Sequence, residues 1–191
     1  MKTLKKLAVV LLAVTVLFAM AVPTMAAPSP AKKTFTTATL KKTSATYNGK
    51  TQKPEIKTVK AGKTTLKAGK DFKVYYPKNM KSAGKKVITI KGINKYAGYT
   101  KTVTYTINQA KNSVKVSKSS LTLKKGKSAK VSVKKKAGKA TWTSNSKYVK
   151  VSKSGKITVA KKAKKGTYKV TVTVKDSNYK TVKKTIKVKV K

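Results

Sequence analysis

The chain holds few side chains suited to acid–base or nucleophilic chemistry. It has no histidine, the group best placed for proton transfer near neutral pH, and no cysteine nucleophile. Its only carboxylates are Glu55, Asp71 and Asp176. Glycoside hydrolysis needs two carboxyl groups flanking one bond, and these three lie far apart in the sequence. Metal centres draw on clusters of His, Cys, Asp or Glu, and the sequence contains none. One nucleophile pattern remains, S-x-x-K. Ser144 with Lys147, Ser82 with Lys85 and Ser132 with Lys135 all fit it, and Lys153-Ser154-Gly155 faintly resembles its K-T-G companion. Repeated matches in so lysine-rich a chain are what composition alone produces. The serine of that motif also opens a helix, and no helix is predicted here. The expectation is a non-enzyme without cofactor or metal.

What the chain has in excess is lysine. All 49 basic residues are lysines, and the net charge is +46. Charge on this scale keeps a protein soluble and draws it to anionic surfaces. The densest patches are Lys124-Lys125, Lys134-Lys135-Lys136, Lys161-Lys162, Lys164-Lys165 and Lys183-Lys184. These are the candidate polyanion-binding residues. The expected partners are anionic cell-wall or host polysaccharides such as teichoic acids, mucin glycans or glycosaminoglycans. Nucleic acid is a second partner class, bound without base specificity: arginine, the favoured reader of guanine, is absent, and the aromatics form no stacking platform. A plainer reading makes the lysines a solvent face that discourages sheet-to-sheet pairing. The near absence of interspersed acids weighs against that for the set as a whole.

The elements that must carry these lysines are strands. Tyr168, Val170, Val172 and Val174 alternate with Lys169, Thr171, Thr173 and Lys175, and Ile186, Val188 and Val190 alternate with Lys187, Lys189 and Lys191. Val114 and Val116, Leu121 and Leu123, Val131 and Val133, Val149 and Val151, and Ile157 and Val159 repeat the pattern. A period of two sends apolar side chains to one face and lysines to the other. Gly126, Gly138, Gly155 and Gly166 punctuate the runs. Phe72, Val74 and Tyr76, Ile88 and Ile90, and Val103, Tyr105 and Ile107 do the same in the first half, less regularly. The predicted fold is all-β, with two tandem small β-sandwich modules at 35–108 and 112–191, joined through the polar stretch Asn108 to Asn112.

Residues 1–26 read as a signal peptide. Lys2, Lys5 and Lys6 precede the apolar run Leu7 to Val22, and Pro23 to Ala26 supply a helix break and small residues for cleavage. The run is shorter than the roughly 20 residues a spanning helix needs, so an uncleaved anchor is the lesser reading. Residues 27–34 form a short linker. No membrane span is expected after cleavage. The Lys187–Lys191 end carries neither a hydrophobic tail nor a sorting motif, so the protein is expected to be secreted or held non-covalently at the wall.

Residues 112–190 resemble the bacterial Ig-like group 2 domain. The carriers are Leu121-Thr122-Leu123-Lys124-Lys125-Gly126, the W-x-S-N run Trp142-Thr143-Ser144-Asn145, Ser154-Gly155-Lys156-Ile157 and Gly166-Thr167-Tyr168. Residues 35–107 resemble a β repeat of the MBG type from Gram-positive surface proteins. There the carriers are Tyr47-Asn48-Gly49-Lys50 with Pro54, Leu66 to Phe72, Ala83-Gly84, Ile88, Ile90, Gly92, Tyr96 and Gly98. Pro77-Lys78-Asn79 stands where that repeat often has an asparagine pair. Both resemblances imply Ig-like sandwiches serving adhesion or spacing at a cell surface, without catalysis. Lys–Asn isopeptide crosslinks, found in some surface Ig-like domains, need a buried acid. Asp71 and Asp176 alone lie on predicted strands or their ends, and Asp71 is expected to bond local backbone instead. Trp142 is expected in the core.

Overall fold

The computed structural model describes residues 33–191; the predicted signal peptide and most of the linker lie outside them. The fold is all-β. The only helical turn among the described residues is a 3-10 turn at Asn94–Tyr96.

In the first half, β1 (Thr37–Leu40), β3 (Ile56–Ala61) and β4 (Thr64–Thr65) form an antiparallel sheet. The second sheet has the order β2 (Ser44–Thr46), β7 (Thr100–Asn108), β6 (Gly84–Gly92) and β5 (Phe72–Tyr75). Its centre is the antiparallel β6–β7 hairpin, and β2 joins β7 in parallel. Both sheets contribute to two apolar clusters. One gathers Phe35, Val59, Leu66, Phe72 and Ile90, the other Leu40, Met80, Ile88, Tyr105 and Ile107.

The second half repeats this plan with more strands. β12 (Lys139–Ser144), β15 (Gly166–Lys175), β16 (Val182–Val190) and β9 (Ser120–Leu123) make a four-stranded sheet, again with a long central hairpin and a parallel flanking strand. β10 (Ser128–Lys130), β14 (Lys156–Val159) and β13 (Val149–Val151) form the facing sheet. β8 (Lys115–Val116) pairs with β11 (Val133–Lys134) at one end. A single core results, in which Val149, Ile157 and Val159 of one sheet meet Val170, Val172, Val174, Ile186 and Val188 of the other, all fully buried.

The predicted Val131–Val133 strand is divided. The Val131 N–H donates to Gly155 O at 2.9 Å, whereas Val133 pairs with Val116, so the chain crosses between sheets at Ser132. Trp142 packs against the core only in part, at the end of the sandwich beside Gly155. Gly155 is buried with φ +81°, and a Cβ there would come within 2.2 Å of Val131 O and 2.8 Å of the indole. Only glycine fits.

The polar stretch between the halves is itself paired. The Ala110 N–H donates to Asn178 O at 2.9 Å and the Lys180 N–H to Ala110 O at 2.8 Å. Asn178 Oδ1 accepts from the Ala83 N–H at 2.9 Å, Gln109 donates to Ser177 O, and the Tyr47 and Tyr179 rings meet edge-on at 5.4 Å. The β15–β16 turn thus grips the end of the first half.

Candidate functional site

The serine and acid candidates are engaged in local structure. Ser144 Oγ accepts from the Ser146 N–H, and Lys147 Nζ lies 5.4 Å from the Tyr148 ring centroid. The Ser82 hydroxyl is bonded by Asn79 Nδ2, and the Ser132 N–H donates to Ser117 Oγ. Asp71 Oδ2 accepts from the Lys67 N–H at 2.8 Å, and Asp176 Oδ1 accepts from the Asn178 N–H at 2.8 Å. Each closes a turn, as expected for Asp71. Glu55 pairs with Lys41, and this hydrogen bond and charge hold its carboxyl below the usual value of 4.5. Asn145, the last residue of the W-x-S-N run, extends the sheet edge: its Oδ1 accepts from the Lys169 N–H at 2.9 Å and its own N–H donates to Lys169 O. Among the described residues no three metal-ligating side chains come together. No helix among them is long and apolar enough to cross a membrane.

All eleven candidate lysines are exposed, and the fold sorts them into separate places. Lys124 and Lys125 sit on the turn after β9. Lys161, Lys162, Lys164 and Lys165 sit on the loop between β14 and β15. These two segments touch. The Gly126 N–H donates to Val159 O and the Val159 N–H donates to Lys127 O, both at 3.0 Å, and a Cβ on Gly126 would lie 3.3 Å from Lys161 Cγ.

The loop's sequence explains its display. In Lys161-Lys162-Ala163-Lys164-Lys165, the small Ala163 is 1% exposed and anchored in the core, which leaves the four lysines projecting on either side. Tyr168 fixes the loop further by donating its hydroxyl to Lys164 O at 2.9 Å. The same end carries Gly166 opposite Val190, Val190 opposite Leu123, and the Lys191 N–H bonded to Leu123 O. Six predicted lysines, joined by Lys127 and Lys191, therefore share one pole.

That pole has no compensating acid. Glu55 and Asp71 belong to the first half, and Asp176 follows the far end of β15. Ten residues of strand separate it from the pole, about 30 Å at roughly 3.3 Å per residue.

The remaining candidates lie at that far end. Lys134 is paired with Lys115, and Lys136 Nζ donates to Gly138 O at 2.9 Å. Gly138 abuts the backbone of Lys175. Lys183 and Lys184 lie opposite Thr173 and Val172 on β15, so consecutive side chains go to opposite faces. Lys184 lines a cleft of about 470 Å³ with Lys111, Lys115, Lys180, Val114 and Val182. The sequence runs thus mark one assembled pole and one looser group, and they miss Lys127 and Lys191. Tertiary bonds reveal those two as members, Lys127 through the Val159 N–H and Lys191 through Leu123 O.

No family model and no curated protein matches the chain. Among solved structures, domains 4 and 5 of the S-layer protein SbsC align with 70% of this chain and 80% of their own length at 20% identity and a TM-score of 0.29. A longer SbsC fragment, 31–844, aligns with 84% of this chain and 28% of its own length at 19% identity and a TM-score of 0.30. Extracellular cadherin domains 1–4 of protocadherin gamma B7 align with 83% of this chain and half of their own length at 9% identity and a TM-score of 0.33. Likenesses of that degree assign neither family nor function.

Proposed function

We propose that the protein is a secreted or wall-associated, non-catalytic binding protein of the adhesin type that holds anionic polymers through its lysine-rich surface. Two modules, 35–108 and 112–191, would carry the function, the second supplying the principal site. One observation carries this reading: Lys124, Lys125, Lys161, Lys162, Lys164 and Lys165 are brought to one pole around a buried alanine, with no carboxylate near them. Uncompensated charge on a rigid edge attracts polyanions, and the attraction is screened over about 8 Å at physiological salt. Lysine retains three donors per ammonium for phosphate, sulfate or carboxylate oxygens.

The test is affinity of the purified protein for heparin and for a glycerol-phosphate polymer across a salt series. Binding that weakens linearly with the logarithm of salt and persists at about 0.15 M supports the reading. Failure to bind either polymer at low salt removes it.

A ligand-free spacer is the second reading. The hydrogen bonds from Ala83 and Gln109 to the 177–178 turn favour it, because they fix one half against the other. It predicts no polymer retention above that of any protein of equal charge.

A further inference from the structure

The outer face of the sheet β12-β15-β16-β9 bears a second ordered charge array. Val170, Val172, Val174, Ile186 and Val188 face the core, so the alternate residues face solvent. Over all four strands those residues are lysine, threonine or serine only. The register sets Lys139 opposite Lys175 and Lys169 opposite Lys187. Strands lie about 4.8 Å apart, so each pair roots two ammonium groups side by side. Like charges directly opposite destabilise a sheet; Asp176 adjoins the Lys139–Lys175 pair at the end of β15, whereas the Lys169–Lys187 pair has no carboxylate beside it. Lys183 and Lys189 extend the array along β16, where successive outward residues are about 7 Å apart. Opposed lysines also occur at Lys115 and Lys134, Lys130 and Lys156, and Lys73 and Lys91. Among the described residues, only the β12-β15-β16-β9 face combines two such pairs.

We infer that this face seats a linear polyanion with a flexible, base-free backbone, whose sulfate or phosphate groups each bridge an opposed lysine pair. The inference rests on the polyanion reading above and adds a place and a ligand class to it. A tetrahedral oxyanion offers several acceptor oxygens, so one group can take hydrogen bonds from Lys169 and Lys187 together. It replaces their mutual repulsion with two charge-assisted bonds. Thr171 and Thr185, which lie opposite each other between the pairs, present hydroxyls that can donate to or accept from the polymer's ester and hydroxyl oxygens. The face has no aromatic and no arginine, so nothing there stacks on a nucleobase or reads its edge. A polymer without bases forfeits nothing on it.

The deciding experiment is the double variant Lys169→Thr/Lys187→Thr, which keeps strand-forming residues at both positions. Binding to heparin and to a glycerol-phosphate polymer is measured across a salt series, beside the thermal midpoint of the free protein. The inference predicts at least about a tenfold loss of affinity, as two contacts to charged groups require. It also predicts a salt slope shallower by roughly 1.4 to 1.8. The midpoint of the free variant should rise by about 1–4 °C as the repulsion goes. Weaker binding with higher stability is a pair of signs that a folding defect does not produce. Which of the two polymers loses more identifies whether sulfate or phosphate is the better fit. Unchanged affinity in the variant, with the wild type still binding, overturns the face and leaves the pole standing. A wild type that binds neither polymer overturns both. Single-stranded DNA bound as tightly as heparin, and lost equally in the variant, overturns the base-free ligand class.

Discussion

The two halves share a plan and differ in how they fill it. Each has a long central hairpin, β6–β7 or β15–β16, flanked by a short strand that pairs in parallel with the hairpin's last strand. The second half closes over one core of aliphatic residues, chiefly β-branched. The first half divides its apolar residues between two clusters and relies on Phe35, Phe72 and Tyr105. A continuous core lets surface loops carry uncompensated lysine, because strands buried on one side hold the loop roots in place. The four lysines around Ala163 depend on that support. The first half, with its acids Glu55 and Asp71 and its exposed Tyr75 and Val87, presents a more mixed surface.

Core truncations break this comparison most strongly. Ile186→Ala, in the continuous core, should cost about 3–5 kcal/mol, and Ile107→Ala, in the smaller cluster, about 2–3 kcal/mol, because a small cluster collapses more readily around the gap. Urea denaturation gives both values. Gly155→Ala should cost about 3 kcal/mol, since it combines a positive φ with a clash against Val131 O. Gly49→Ala, at φ +77° with open space around it, should cost only about 1 kcal/mol. Similar costs for the two glycines would show that backbone conformation alone governs both sites.

Asn178→Ala strips the acceptor from the Ala83 N–H and should cost about 1–2 kcal/mol. Its sharper signature is loss of coupling. Trp142 is the only tryptophan and reports the second half, so its fluorescence transition should separate from the far-ultraviolet transition of the whole chain. Coincident transitions would show that the halves stay coupled without this bond. The smallest effect belongs to Glu55. Its folded pKa is lowered by Lys41, so its contribution is fully present above 4.5 and is lost as pH falls through the depressed value. Lys41→Met should return the carboxyl towards 4.5 in an NMR titration, and an unmoved titration would discount the pair.

The strands were legible wherever β-branched residues alternate with lysine or threonine over a long run, as at Val170 to Val174 and Ile186 to Val190. Legibility failed where tertiary contacts set the partner. Val131 and Val133 alternate correctly but serve different sheets, because Val131 bonds Gly155 and Val133 bonds β8. In β6, Ile88 and Ile90 fix which face is buried, so Lys86 is carried inward at 9% exposure and Val87 outward at 56%. The long lysine stem tolerates this because it packs as hydrocarbon. The candidate site was legible as lysine runs but not as a site. Lys125 and Lys161 lie far apart in sequence and are joined by the contact of Gly126 with Val159, while Lys183 and Lys184 are adjacent and part company. Opposed lysine pairs need register, which alternation alone does not supply.

The central claim is that placement, rather than charge count, makes the second half the binding half. It is tested most directly by heparin affinity at about 0.15 M salt for two variants that remove the same charge. One is Lys161→Ser/Lys162→Ser/Lys164→Ser/Lys165→Ser. The other is Lys50→Ser/Lys63→Ser/Lys67→Ser/Lys70→Ser, from exposed turns of the first half. The account predicts that the first variant loses at least about ten times more affinity than the second. Equal losses would contradict it and leave net charge as the whole explanation.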